Sequence, residues 1–169
     1  MNDDVVLGQA VLNPSPQYRY VRNVLANASH PGSLSLISCW KEFEAKGGMR
    51  MGRDIPSRAL AKLLPHILIA EPVRQWEDAR IRLAGTALIE RFGRDIAGLL
   101  VTQLYADNPE GAPLLLELGR RTVQTRQTSV LDTRIIVDDA EMMHMEMVLL
   151  PIQSKDGSEI WILVGAFKH

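Results

Sequence analysis

The chain has 169 residues, of which 46% are apolar and 23% are charged, a composition typical of one soluble globular domain with a substantial core. Its 19 basic and 20 acidic residues give a net charge of -1, which argues against nucleic-acid binding because that function usually needs a basic excess. The single cysteine excludes an intrachain disulfide and favours the cytoplasm. No secretory leader and no membrane-spanning apolar run is recognisable.

The N-terminal part of the chain is predicted to be a mobile arm followed by a helix. Residues 1–32 contain "NPSP" and little sustained periodicity. Residues 33–47, "SLSLISCWKEFEAKG", show a helical repeat, which a serine can cap and two glycines can end. The apolar stripe of this leading helix consists of Leu36, Ile37, Trp40 and Phe43. Residues 33–169 are therefore expected to form the domain proper.

The remaining elements alternate between short strands and helices. "HILIAEPV" and "DARIRLAG" are predicted strands. In the second of them polar and apolar residues alternate, as in a strand with one buried face. A short helix in "TALIERF" and a longer one in "LLLELGRRTVQTRQT" follow. Three further strands are predicted in "SVLDTRIIVDD", "EMMHMEMVLLPIQ" and "EIWILVGAFKH". Five strands in one antiparallel sheet with the helices on one face give an α+β fold.

The last predicted strand is apolar on both faces. Ile162 and Val164 point to one side, and Trp161 and Leu163 point to the other. Each face therefore needs a cover, which the leading helix or its copy in a second subunit can provide. We accordingly expect a homodimer. The residues expected at its interface are Leu36, Ile37, Trp40, Phe43 and Trp161.

Three blocks of the sequence, "GRDIPSRALAKLLPHILIAE", "IRLAGTALIERFGRDIAG" and "EMVLLPI", resemble those of PAS domains in a bacterial subfamily of short single-domain proteins. The resemblance covers roughly residues 33–168. It implies a five-stranded antiparallel sheet with short helices on one face and an extra N-terminal helix. It also implies a non-catalytic sensory or signalling protein that binds a small molecule or a regulatory protein as a homodimer. The alternative is a ligand-free interaction or scaffold module.

The known cofactor patterns of PAS domains are disfavoured, and the ligand stays unknown. A haem-binding PAS domain is expected to carry an axial histidine on its longest central helix, but residues 99–127 contain no histidine. A flavin photosensor needs a reactive cysteine after the second strand, whereas Cys39 lies far upstream. No sequence motif of a catalytic site is present either, so we do not expect an enzyme.

The stretch "RIRLAGTALIERFGRDIAG", residues 80–98, has two interpretations. Its arginines and threonine can surround a small anionic ligand between the helices and the sheet. Alternatively, Gly85 and Gly93 provide turn geometry, Thr86 caps the helix, and Arg94 pairs with a carboxylate such as Asp95. The candidate ligand-binding residues are Thr86, Arg91, Phe92, Arg94 and Met145.

The run "EMMHMEM" is interpreted as core or pocket lining. Clustered methionine and histidine can hold Cu(I), but methionine is also an adaptable filler of cores and pockets. As a strand, the run places Met143, Met145 and Met147 on one face and Met142, His144 and Glu146 on the other. We therefore expect no metal site here.

Overall fold

The computed structural model describes residues 16–169, which form one six-stranded antiparallel sheet with helices on both faces. The strands are β1 (Tyr18–Leu25), β2 (Ile67–Val73), β3 (Asp78–Ala84), β4 (Ser129–Val137), β5 (Ala140–Gln153) and β6 (Ile160–Lys168). The helices are α1 (Pro31–Glu44), α2 (Thr86–Phe92), α3 (Val101–Leu104) and α4 (Gly111–Thr125), with 3-10 turns at Arg58–Leu60 and Leu64–His66. The strand order is β1-β4-β5-β6-β2-β3, so the predicted α+β class is correct.

The sheet has one strand more than the five that were expected, and the additional strand is β1. It lies within the predicted arm of residues 1–32 and pairs with β4 along its length, from Tyr18 opposite Val137 to Leu25 opposite Val130. None of its side chains is fully buried, so the sequence lacks the regular alternation that marks a half-buried strand. The first part of the arm, residues 1–15, lies outside the described residues.

Helix α1 begins and ends slightly before the predicted limits of 33 and 47. The predicted serine cap is wrong, because His30 is the N-cap and its Nδ1 accepts a hydrogen bond from the Gly32 N–H at 2.9 Å. Pro31 follows in the first turn, where its missing N–H costs nothing. After the helix, Gly47 and Gly48 adopt φ angles of +102° and +105°, which glycine accommodates without strain.

Helix α1 covers one face of its own sheet. Leu36 and Trp40 are buried there, and Trp40 Nε1 donates a hydrogen bond to the Pro151 carbonyl of β5 at 2.8 Å. Ile37, Phe43 and Trp161 pack around the same core. Leu36 and Trp40, which we expected at a subunit interface, therefore lie inside the chain's own fold. The homodimer stays a prediction.

The N-terminus of α1 is held to the sheet by Glu146 of β5. This carboxylate is fully buried and accepts hydrogen bonds from the Ser29 N–H, the Ser29 hydroxyl and the His30 N–H at 3.0–3.1 Å. A buried carboxylate needs such donors, because the loss of its hydration without new partners costs on the order of several kcal/mol. The contact fixes where α1 starts relative to β5.

The opposite face of the sheet is covered by α2, α3 and α4. Ile162 and Val164 of β6 pack on this side, whereas Leu163 of the same strand belongs to the core beneath α1. The prediction that both faces of the last strand are covered is therefore confirmed. Within residues 16–169, no helix is long and apolar enough to cross a membrane.

Candidate functional site

Two adjoining cavities lie between the sheet and helices α2–α4. The inner cavity has a volume of about 80 Å³, and apart from Arg91 and Tyr105 its lining side chains are hydrophobic. The outer cavity has a volume of about 330 Å³ and extends to strand β1. They share the residues Arg91, Phe92, Leu104, Tyr105, Leu115, Met145 and Met147. Of the two cavities, only the outer one has a volume within the range of typical small-molecule sites, roughly 300–1,000 Å³.

Methionines of β5 form the floor that both cavities share. Met145 and Met147 face α2–α4, while the alternating residues His144 and Glu146 face the side of α1. The predicted division of "EMMHMEM" between two faces is therefore confirmed. Methionine side chains adapt their shape to different apolar neighbours, which suits the wall of a binding pocket.

Helix α2 carries the candidate residues and is positioned by two glycines. Gly93 ends the helix in the left-handed region, at φ +67°. Gly85 instead has an ordinary φ of -70°, and its role is close packing, since a Cβ there would lie 2.1 Å from the Leu64 carbonyl oxygen and 2.3 Å from that of Pro65. Gly85, not Thr86, is the N-cap of α2.

Arg91 brings a positive charge to the apolar cavities. Its side chain is half-buried, and its Nη1 donates to the Met145 sulfur at 2.7 Å. In the part of the chain described here, no carboxylate forms an ion pair with it. Burial lowers the pKa of Arg91 from its usual range. A guanidinium that has lost water and, among residues 16–169, gained only a thioether is an unsatisfied anion-binding group.

The outer cavity adds further polar groups. Arg22 of β1 lies 5.0 Å from the centre of the Tyr20 ring, and both residues line the cavity together with Asp107. Burial raises the pKa of the Tyr105 hydroxyl, which the nearby Arg22 opposes only in part. Tyr105 therefore stays protonated near neutral pH and can donate a hydrogen bond.

The candidate ligand-binding residues divide into two groups. Arg91, Phe92 and Met145 line both cavities. Thr86 and Arg94 are exposed and line neither cavity. The structure also brings Tyr105 and Arg22 to the site, which the sequence analysis missed: Tyr105 lies in the ambiguous run "LLVTQLYADN" and Arg22 in the strand that was taken for an arm.

Residues 28–167 match the family model of the PAS domain. This span contains α1, strands β2 to β5, β6 except for its last residue, and every residue that lines the inner cavity. Neither the curated proteins nor the solved structures contain a match to the chain. Since the match covers most of the chain and agrees with its sheet and helices, the chain belongs to the PAS domain family.

Proposed function

We propose that the chain is a non-catalytic sensory module that binds a small, mostly apolar anion, such as an aliphatic carboxylate, in the cavities beside α2. PAS domains serve as sensory or interaction modules, which supports the first part of this proposal. The observation that carries the second part is the guanidinium of Arg91, half-buried beside apolar side chains without a carboxylate partner in residues 16–169.

The ligand class follows from the lining of the cavities. Apolar walls favour a hydrocarbon body, because its burial removes apolar surface from water. Arginine favours a carboxylate head, because its two parallel N–H groups match the two oxygens of that group. The protonated Tyr105 supplies an additional donor at the boundary of the two cavities.

Strand β5 offers a route from the ligand to α1. Met145 contacts Arg91 on the cavity side, and the next residue, Glu146, holds the N-terminus of α1 on the other side. A carboxylate bound to Arg91 would replace its contact with the sulfur and change the packing of Met145. For a signal to result, the ligand must bind more tightly to one conformation of β5 than to another.

The direct test compares an acid with an uncharged analogue of the same chain length. We expect octanoate to raise the melting temperature of the protein more than octan-1-ol does. Arg91→Met should abolish this difference, because the variant keeps an apolar side chain but removes the charge. Arg94→Met is the matched control, since Arg94 is exposed on the next turn and lines neither cavity.

Two results would contradict the proposal. One is equal stabilisation by octanoate and octan-1-ol in the unmodified protein. The other is an octanoate effect that survives in Arg91→Met but disappears in Arg94→Met. Isothermal titration with octanoate separates both cases from a general detergent effect, because a single site gives saturable one-to-one binding.

A second candidate function is that of an interaction module, and the edge strand β1 favours it. Tyr18, Tyr20 and Val24 on this strand are 62%, 38% and 48% exposed, and exposed apolar strand edges are common binding surfaces. The sequence placed a homodimer at the leading helix and Trp161, and this edge is a different place at which a second copy could pair. Sedimentation equilibrium tests whether this edge forms a homodimer. We expect a dimer for the unmodified protein and a monomer for the double variant Tyr18→Ser/Tyr20→Ser. A monomeric unmodified protein would exclude the homodimer. A cytoplasmic location likewise stays a proposal.

A further inference from the structure

A cluster of histidines lies on the face of the sheet opposite the cavities, at the N-terminal end of α1. His144 of β5, His169 just after β6 and Asp132 of β4 each offer one ligand atom, and these atoms all lie within 4.8 Å of one another. We propose that Asp132, His144 and His169 form a binding site for a divalent transition-metal ion of the Zn²⁺ or Co²⁺ class. This proposal is independent of the ligand proposed for the cavities.

The backbone that carries these three residues is fixed by strand pairing. His144 is paired with Arg134 in the β4–β5 ladder, so Asp132 lies diagonally across from it. The His169 N–H donates to the His144 carbonyl at 2.9 Å and continues the pairing of β6 with β5. Ligands on neighbouring strands are held more precisely than ligands on loops.

The side chains are already in contact. His144 Nε2 lies 2.5 Å from Asp132 Oδ1, and the rings of His144 and His169 are stacked with centres 4.1 Å apart. A metal ion bound between Nε2 and Oδ1 would take the place of this contact. With metal–ligand distances of roughly 2.0–2.2 Å and tetrahedral angles, the two atoms would separate to about 3.3–3.6 Å, which a side-chain adjustment of about 1 Å provides.

The donor set selects the class of metal. Two imidazole nitrogens and one carboxylate oxygen suit Zn²⁺ and its neighbours, whereas Ca²⁺ and Mg²⁺ prefer oxygen ligands alone. Three protein ligands leave a position for water, as in open zinc sites. Asp132 is buried, His144 is half-buried and His169 is exposed, so the ion can enter from the side of His169.

Three polar side chains beside the proposed metal site already have partners of their own. Glu146 is occupied by the donors at the start of α1. Both ring nitrogens of His30 are in use, Nδ1 with the Gly32 N–H and Nε2 with the Lys168 carbonyl. Arg134 Nε lies 3.4 Å from Asp132 Oδ2. It orients the carboxylate as a positioning residue and leaves Oδ1 for the ion.

The test is titration of tag-free protein with Zn²⁺ by calorimetry and with Co²⁺ by visible absorption. We expect one ion per chain and ligand-field bands of a low-symmetry N/O site. His169→Gln should weaken binding at least about tenfold, and because His169 is exposed this variant should fold normally. Asp132→Asn and His144→Gln should weaken binding as much or more, with folding checked by circular dichroism.

The control is His66→Gln, which removes a histidine that is outside the cluster. The proposal would be overturned by the absence of saturable binding in the unmodified protein. It would also be overturned if His169→Gln bound Zn²⁺ as tightly as the unmodified protein, or if His66→Gln weakened binding to the same extent. Calorimetry with octanoate in the same variants should be unchanged, which separates this site from the cavities.

Discussion

The guanidinium of Arg91 on α2 donates a hydrogen bond to the sulfur of Met145 on β5 at 2.7 Å. Thioether sulfur is a weak acceptor, so this contact replaces only part of the hydration that the arginine loses. Arg91 is thus half-buried in the free protein with a poor partner, and its burial lowers its pKa. Such an arrangement is expected where a residue is kept for binding and not for stability.

The first prediction is that Arg91→Met stabilises the ligand-free protein. Methionine fills a similar volume beside Met145 without the cost of desolvating a charge, and we expect a gain of about 1 kcal/mol in the free energy of unfolding. Urea denaturation measures it. Arg94→Met, at an exposed position, should change stability by less than about 0.5 kcal/mol. A loss of stability in Arg91→Met would mean that the charge has a structural partner.

The second prediction concerns the glycine before α2. Gly85→Ala should destabilise the protein by about 3 kcal/mol, because the new methyl group meets the rigid backbone at Leu64 and Pro65 at 2.1–2.4 Å. Gly93→Ala is the matched comparison: nothing lies within 4 Å of its Cβ, and only its φ of +67° is unfavourable, at a cost of about 1–2 kcal/mol. Thermal denaturation of both variants decides whether close packing outweighs backbone strain here.

The contrast between Gly85 and Gly93 also shows where sequence reasoning ends. Both glycines mark the limits of α2, and the sequence predicted that helix and its turns. What the sequence does not contain is the approach of the segment around Leu64 and Pro65 to Gly85, because this contact joins residues that are distant along the chain. The same is true of Asp132, His144 and His169, which become neighbours only through the pairing of β4, β5 and β6.

Strand β1 was missed for a different physical reason. The five other strands were predictable because at least one face of each is buried. In β1, Tyr18 and Tyr20 are exposed and Val21 is only half-buried, so burial leaves little pattern in the sequence. Its backbone pairing with β4 holds it in place, and backbone hydrogen bonds leave no signature in side-chain types. Arg22, which this strand carries to the outer cavity, was missed with it.

The third prediction tests whether α1 packs on its own sheet. Trp40→Phe should lower the free energy of unfolding by about 2 kcal/mol, since the buried Pro151 carbonyl loses its donor and the ring loses volume. Trp161→Phe is the control, because Trp161 is half-buried and its Nε1 bonds to the exposed Glu159.

Protein concentration distinguishes the two locations that α1 can have. If it covers its own sheet, the difference in urea midpoint between Trp40→Phe and the unmodified protein should not depend on concentration, whether or not the edge strand β1 forms a homodimer. An effect of Trp40→Phe on the midpoint that becomes larger in dilute solution would place α1 on the sheet of a second subunit. That result would restore Leu36 and Trp40 to the homodimer interface.

The fourth prediction concerns the only cysteine, Cys39 of α1. Burial raises the pKa of its thiol, and the carboxylate of Glu42, one turn further along the helix, raises it additionally. Because the thiolate is the reactive form, native protein at pH 8 should react with iodoacetamide about tenfold more slowly than protein unfolded in urea. The alkylation rate should increase with pH, and the midpoint of this pH profile should lie at a higher pH than that of the unfolded chain.

Substitution of Glu42 separates the charge from the burial. Glu42→Gln removes the repulsion between the carboxylate and the thiolate, so the native alkylation rate at pH 8 should increase while remaining below the unfolded rate. Glu44→Gln, two residues further along the helix, should leave the rate unchanged, since Glu42 is the carboxylate whose charge raises the pKa of Cys39. Equal rates in native and unfolded protein would instead mean that α1 opens readily from the sheet, exposing Cys39 together with Trp40 and Leu36.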